Sequence, residues 1–297
     1  MLATLLALAM TADAPPLAAV PSVTVGRALA SAPAGGERAM AATRPLLGHP
    51  YLPSPLGEES GPDPDPRFRL DAFDCMTFAE TAVALGSSET LGEARRALDD
   101  IRYDGPPAFE NRNHEVLSQW IPSNEARGWI REVTAEVAPG HVRREEKVYT
   151  EEGWEAVRRA GRAIAGLPRS RLPLGRYGLD VIAPHDVAAV EPAVPAGSLV
   201  FLVRADAPDR ATRISHVGLV VRGPDGSRRV RHATSTRGVD RVIEEPLARF
   251  LERESRAFPA WPVSGIALFE ILDNRTHLAA SIAGLSPAPA PEGDRGR

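Results

Sequence analysis

The chain changes character at Pro195, and that change limits the folds open to it. Before Pro195, apolar residues recur at helical spacing. After it come short runs rich in Val, Ile, Leu and Phe at 197–203 (GSLVFLV), 214–221 (ISHVGLVV), 228–233 (RRVRHA) and 264–272 (SGIALFEIL), broken by turn residues such as Gly223-Pro-Asp-Gly226. Runs of that kind predict strands joined by hairpin-sized connections. Helices first and strands afterwards predict an α+β fold, an antiparallel sheet packed against a helix from the first half.

The strongest helix signal covers 74–86 (DCMTFAETAVALG). Asp74 is a good N-cap and Gly86 a good C-cap, and Phe73 can staple to Phe78 across the first turn. Cys75 therefore opens the helix. Further helices are predicted at 90–101, 114–120, 125–131 and 151–165, the last with Trp154, Val157, Ala160 and Ile164 at helical spacing. The Pro-, Gly- and acid-rich stretch 53–66 predicts a surface loop.

Residues 1–14 (MLATLLALAMTADA) are an apolar run ending in a small-x-small pattern, the form of a signal peptide without a basic leader. Residues 15–35 read as a linker, 36–275 as one domain and 276–297 as a disordered tail, which makes the expected location secreted or periplasmic. No other stretch is apolar enough to predict an integral membrane segment. A net charge of −4, with cations scattered among acids, argues against a nucleic-acid partner.

Cys75 is the single cysteine, so no intramolecular disulfide can form. A thiol attacks carbonyls as the thiolate, and a helix N-terminus favours that anion, so a lowered pKa is expected at this position. The unpaired N–H groups of the same turn could hold a developing oxyanion. Of seven histidines, only His216 and His232 fall in predicted strands. Strand alternation puts Val217, Leu219 and Val221 on one face and His216 on the other, beside Gly218 and Val220. His232 follows on the next strand of the hairpin, where it could orient His216 as a third residue orients the base of a thiol hydrolase. The same three residues are also compatible with an inert core cysteine and two polar sheet histidines. A Cys-His-His zinc site is disfavoured because the thiol opens a helix, so no metal and no cofactor are expected.

These residues resemble the NlpC-type cell-wall peptidases, a papain-like branch of thiol hydrolases, in Gly48-His-Pro50-Tyr51, Asp74-Cys75, Ser215-His216-Val-Gly and His232. A closer resemblance, spanning about residues 48 to 270, is to the N-acetylmuramoyl-L-alanine amidase-like family, formerly a domain of unknown function. It adds Phe73-Asp-Cys-Met-Thr-Phe-Ala-Glu80, Ile101-Arg-Tyr103, Arg112 to Trp120 with Asn124, Gly197-Ser-Leu-Val and His232-Ala-Thr-Ser. Met76 and Glu115 depart from that family's usual Thr and aromatic. The resemblance implies a papain-like fold with Cys75 as nucleophile, His216 as base, His232 as orienter and Tyr51 as an oxyanion-side hydroxyl. By the same analogy Arg112, His114, Trp120 and Asn124 line the cleft. The implied substrate is peptidoglycan or a muropeptide, cut at the muramoyl–alanine or a stem-peptide amide. An acyltransferase using the same thiol and a non-catalytic wall-binding module are the alternatives. Subunit number is not legible.

Overall fold

The computed structural model describes residues 22–284 except 163 and 165. Helices α1 (Ser22–Ser31), α2 (Gly36–Thr43), α3 (Cys75–Gly86) and α4 (Leu91–Arg102) come first, followed by a turn of π-helix (Val116–Trp120) that runs into α5 (Ile121–Ala126). A mixed middle holds β1 (Ile130–Glu132), α6 (Thr134–Val137), β2 (Val142–Tyr149), α7 (Glu151–Arg159), β3 (Gly175–Ile182) and α8 (Val187–Val190). The strand-rich end is β4 (Leu199–Arg204), β5 (Ile214–Arg222), β6 (Arg228–Thr234), β7 (Arg241–Pro246), α9 (Leu247–Ala257), β8 (Val263–Ile271) and α10 (Arg275–Ile282). The strands make one antiparallel sheet in the order β2-β3-β8-β4-β5-β6-β7, with β1 added on β8. This is the α+β architecture the sequence predicts.

Strand alternation gives the central sheet two apolar faces. Phe201, Val217, Leu219 and Val221 meet α1 to α4, whereas Val200, Leu202, Val220 and Val230 meet Leu247, Phe250 and Leu251 of α9. The expected capping of α3 is present as a full capping box. Asp74 Oδ1 accepts the Thr77 N–H at 2.7 Å, and Thr77 Oγ1 accepts the Asp74 N–H at 3.0 Å. Phe73 and Phe78 pack edge to face at 5.7 Å.

One buried ion pair ties α3 to α4. Arg102 bonds Glu80, each about 4% exposed, and the Trp120 indole N–H donates to the other Glu80 oxygen at 3.1 Å. The stretch 53–66 is pinned to the same cluster. Arg102 donates to the Leu56 carbonyl at 3.2 Å, the Tyr103 hydroxyl to Glu58 at 2.9 Å, and Arg112 to Asp63 at 2.7 Å.

Several boundaries differ from the sequence reading. Residues 22–31, read as linker, form α1 because Val25 and Leu29, four apart on one helix face, are both buried. Residues 275–282, assigned mostly to a tail, form α10, held by buried Leu278 and by His277 bonding Asp100 at 2.9 Å. The helix expected at 125–131 gives way to β1, where Ile130 pairs with Ile271 of β8. Helix α7 stops at Arg159, and Gly161 at φ +68° takes the left-handed turn that ends it, so Ile164 lies outside. Strands β2, β3 and β7 were not anticipated. Residues 1–14 and 285–297 lie outside the described residues.

Removing Arg102 would leave Glu80 as an uncompensated buried charge. Arg102→Leu is expected to lower unfolding free energy by about 3–5 kcal/mol, read by urea denaturation. A loss below about 1 kcal/mol would show that the pair does not anchor α3.

Candidate functional site

Cys75 stands at the first position of α3, whose body packs on the Val217 face of β5. Cys75 packs against the core cluster that holds Val217, the strand residue next to His216, and the backbone N–H groups of Val217 and of Cys75 itself favour its thiolate. Its thiol is nevertheless pushed up to about 12, first by burial and then by the Asp74 carboxylate, with Glu254 of α9 adding to the rise. The lowered pKa expected from the helix N-terminus is thus reversed. Asp74 spends its oxygens on backbone donors, Oδ1 on Thr77 and Oδ2 on the Ser54 N–H at 3.1 Å, but its charge still faces the sulfur.

His216 sits where β5 is irregular. Leu202 pairs with His216 and Val203 with Ile214, so Ser215 is an extra residue and the strand bulges. Bulges re-aim neighbouring side chains. The His216 ring lies on the α9 side, 5.5 Å from the Phe250 ring, and its Nε2 is 2.8 Å from His232 Nδ1. Gly218 makes that pairing possible, since a Cβ there would lie 3.0 Å from His232 Cβ and 2.4 Å from Val230 Cγ1. Burial holds the pKa of both imidazoles below the ordinary value, and Arg253 adds to this at each ring. Both rings are therefore neutral at neutral pH.

Beyond His232 lie two residues that sequence reasoning missed. Glu245 Oε1 is 3.1 Å from His232 Nε2, and Arg253 bonds that same oxygen at 2.6 Å. Glu245 is the second of two adjacent acids near the end of β7, and Phe250, Arg253 and Glu254 share one face of α9 by their spacing. Neither pattern identifies a partner before the β6–β7 register is known.

Tyr51 is half-buried beside Cys75, Asp74 and Ser235, and burial followed by the neighbouring acidic groups raises its hydroxyl pKa. It stays a neutral donor at neutral pH. The other four residues expected at the cleft are placed differently. Trp120 and Asn124 are buried, Trp120 on Glu80 and Asn124 on the Ile101 and Trp120 carbonyls, so neither has surface to offer a substrate. Arg112 is engaged by Glu58 and Asp63, and His114 Nε2 lies 2.7 Å from the Phe109 carbonyl. These residues fasten loops. Among the described residues no group of three His, Cys, Asp or Glu side chains is placed to hold a metal ion, and no helix is long and apolar enough to cross a membrane.

The profile of the N-acetylmuramoyl-L-alanine amidase-like family matches residues 41–257, well over half of the chain. The chain belongs to that family. Every element of the site described above, from Tyr51 to Arg253, falls inside the matched span. Its fold is similar to a Legionella pneumophila protein (19% identity, TM-score 0.65, covering 84% of this chain and 89% of that one). It is also similar to an N-acetylmuramoyl-L-alanine amidase from Bacteroides uniformis (19% identity, TM-score 0.60, 83% of this chain and 98% of that one). A Bacteroides fragilis protein provisionally named a xylanase shares the fold as well (19% identity, TM-score 0.57, 76% and 97%). At these identities the structures speak for the fold alone. No curated protein matches the chain.

A thiol held up by burial and by a carboxylate should be slow to ionise. The iodoacetamide reaction rate is expected to climb steadily from pH 7 to about 10, without the thiolate plateau at pH 5–7 that an ion pair would give. Asp74→Asn keeps an acceptor for the Thr77 N–H but removes the like charge, so it should speed alkylation at any given pH. A rate plateau in acid for the unaltered protein would contradict this electrostatic account.

Proposed function

We propose that this member of the amidase-like family is a cysteine amidase that cuts an amide of bacterial peptidoglycan through Cys75, His216 and His232. The observation that carries the reading is the imidazole pair, His216 Nε2 engaged by His232 Nδ1 at 2.8 Å, on the strand against whose Val217 face the helix opened by Cys75 packs. The Nδ1 of His216 is left for the thiol.

The resting pair is neutral, so the proton must move during attack. The Cys75 sulfur adds to the amide carbonyl carbon while its proton passes to His216 Nδ1. Charge developing on the carbonyl oxygen meets the Cys75 N–H and the Tyr51 hydroxyl, both donors at neutral pH. Collapse of the intermediate breaks the C–N bond, and His216 returns the proton to the leaving amine. Water, deprotonated by the same nitrogen, then attacks the thioester and releases the carboxylate and the free thiol. The substrate bond, muramoyl–alanine or stem-peptide, follows from the family and not from a contact. A wall substrate fits export of the chain, which rests on residues 1–14.

Purified protein incubated with muropeptides, with product masses read out, tests this directly. Cys75→Ala and His216→Ala should each remove nearly all turnover. His232→Asn should keep a reduced rate, because an amide oxygen can still accept from His216. The acid limb of kcat/KM should lie below about pH 6.5, since the base is held below its usual pKa. Full activity in Cys75→Ala would end the thiol mechanism, and acyl transfer to an added amine in preference to water would favour the transferase alternative.

A further inference from the structure

Two neutral imidazoles joined Nε2 to Nδ1 can share their protons in two orders, and only one leaves His216 able to act as a base. If His232 Nδ1 donates, His216 Nε2 accepts and His216 carries its proton on Nδ1, where it can receive nothing. If His216 Nε2 donates, its Nδ1 is a bare lone pair. The choice is made on the far side of His232.

His232 Nε2 lies between two groups that pull in opposite directions. Glu245 Oε1, 3.1 Å away, can only accept, and Arg253 Nη2, 3.2 Å away, can only donate. Arg253 is already committed. Its Nη2 bonds Glu245 Oε1 at 2.6 Å, and its Nη1 bonds the Thr234 and Thr236 hydroxyls, each at 2.7 Å. Glu245 is a carboxylate: burial opposes its ionisation, but bonds from His232 and Arg253 outweigh burial and hold its pKa low. A lone pair on Nε2 would face that anion, whereas a proton there completes a charge-assisted hydrogen bond. The remaining charges around the pair do not compete for its nitrogens. Arg204 of β4 is spent on Ser215 Oγ at 2.7 Å and on the Glu254 and Trp261 carbonyls, and Glu254 of α9 faces Arg204 and Arg253. Water is kept from exchanging the order, for His232 is fully buried and Phe250 packs on both rings at 5.5 and 5.2 Å.

We propose that Glu245 is a positioning residue for the thiol site, which through its single oxygen Oε1 fixes the proton order Glu245←His232←His216 and so presents a bare His216 Nδ1 to Cys75. The inference rests on the reading of Cys75 and His216 as nucleophile and base. Arg253 holds that oxygen in place. Glu245→Leu removes the carboxylate and leaves the donor Arg253 Nη2 at His232 Nε2, so the order reverses and His216 Nδ1 becomes protonated. In Glu245→Gln one amide oxygen can serve both Arg253 and His232, so the order is kept.

The test is 15N NMR of histidine-labelled full-length protein, with kinetics on muropeptides alongside. The unaltered protein and Glu245→Gln should show His216 protonated at Nε2 and bare at Nδ1, and Glu245→Leu should show the reverse. Loss of kcat in Glu245→Leu should be roughly 10²-fold or more, as expected for a base in the wrong tautomer, with KM little changed. Glu245→Gln should stay within about tenfold of the unaltered rate. An unchanged His216 tautomer in a folded Glu245→Leu would overturn the proposal, as would a reversed tautomer in Glu245→Gln, which serves if the leucine variant does not fold. The NMR signature needs no substrate. Expected tautomers in a protein that cleaves no muropeptide would therefore count against the amidase reading and leave the proton order standing.

Discussion

The site depends on where the first turn of α3 comes to rest on β5. A helix start ordinarily leaves its N–H groups to water, but here Asp74 and Thr77 close the turn on each other and Cys75 is packed on the Val217 side of the sheet. Everything else fixes that contact in place. The Glu80–Arg102 pair and the Trp120 indole hold the middle of α3 from beneath, and the apolar row Val217, Leu219 and Val221 holds its body to the sheet.

Two electrostatic effects compete for the thiol, and their sizes decide between them. A helix terminus stabilises a charge by about 0.3–1 kcal/mol, up to about 2 in partly buried sites. Burial shifts a pKa by up to about 3–5 units, each worth about 1.4 kcal/mol. With Asp74 adding to the burial, the helix terminus loses and the thiol stays protonated at rest. The imidazoles are pressed in the complementary direction, toward neutrality, by the same burial and by Arg253. In the proposed mechanism the stored state is thus a neutral thiol and a neutral His216 that waits with a lone pair. In that mechanism the tautomer of His216 is a chemical requirement, because no pre-formed charge exists to compensate for a misplaced proton.

The features legible in the sequence are those written in local pattern. The capped helix over 74–86, the four late strands and the two histidines on one sheet face all follow from caps, β-rich runs and strand alternation. One unread strand has a plain cause. Strand β2 (VRREEKVY) is an edge strand whose side chains are mostly charged and outward, the composition that keeps an edge from pairing further, so it carries no apolar run to read. Arg112, His114, Trp120 and Asn124 are expected at the cleft only by analogy with the resembled family, with no local pattern behind them. Their partners Glu58, Asp63, Glu80 and the Ile101 carbonyl show them to be fasteners, and those partners are set by packing between elements far apart in the chain. Glu245 and Arg253 were out of reach for the same reason, since β7 and α9 come to His232 only through the sheet register.

The same register explains why the histidine pair stands where it does. Across β5 and β6, His232 comes opposite residue 218, and any side chain there would drive into His232 Cβ and Val230. A glycine at that one place lets the His232 backbone draw close enough for its ring to meet His216 at 2.8 Å, two residues back along a strand already bent by its bulge. Weakening a central strand with glycine normally costs stability, about 0.5–1 kcal/mol against alanine. Here the dense packing of Leu202, Val220, Val230 and Phe250 on the same face offsets that cost, and those same residues exclude the water that would scramble the proton order. In the proposed mechanism the core on the α9 side therefore serves the chemistry as directly as the polar groups do. It allows the approach of the two rings and keeps their protons in sequence.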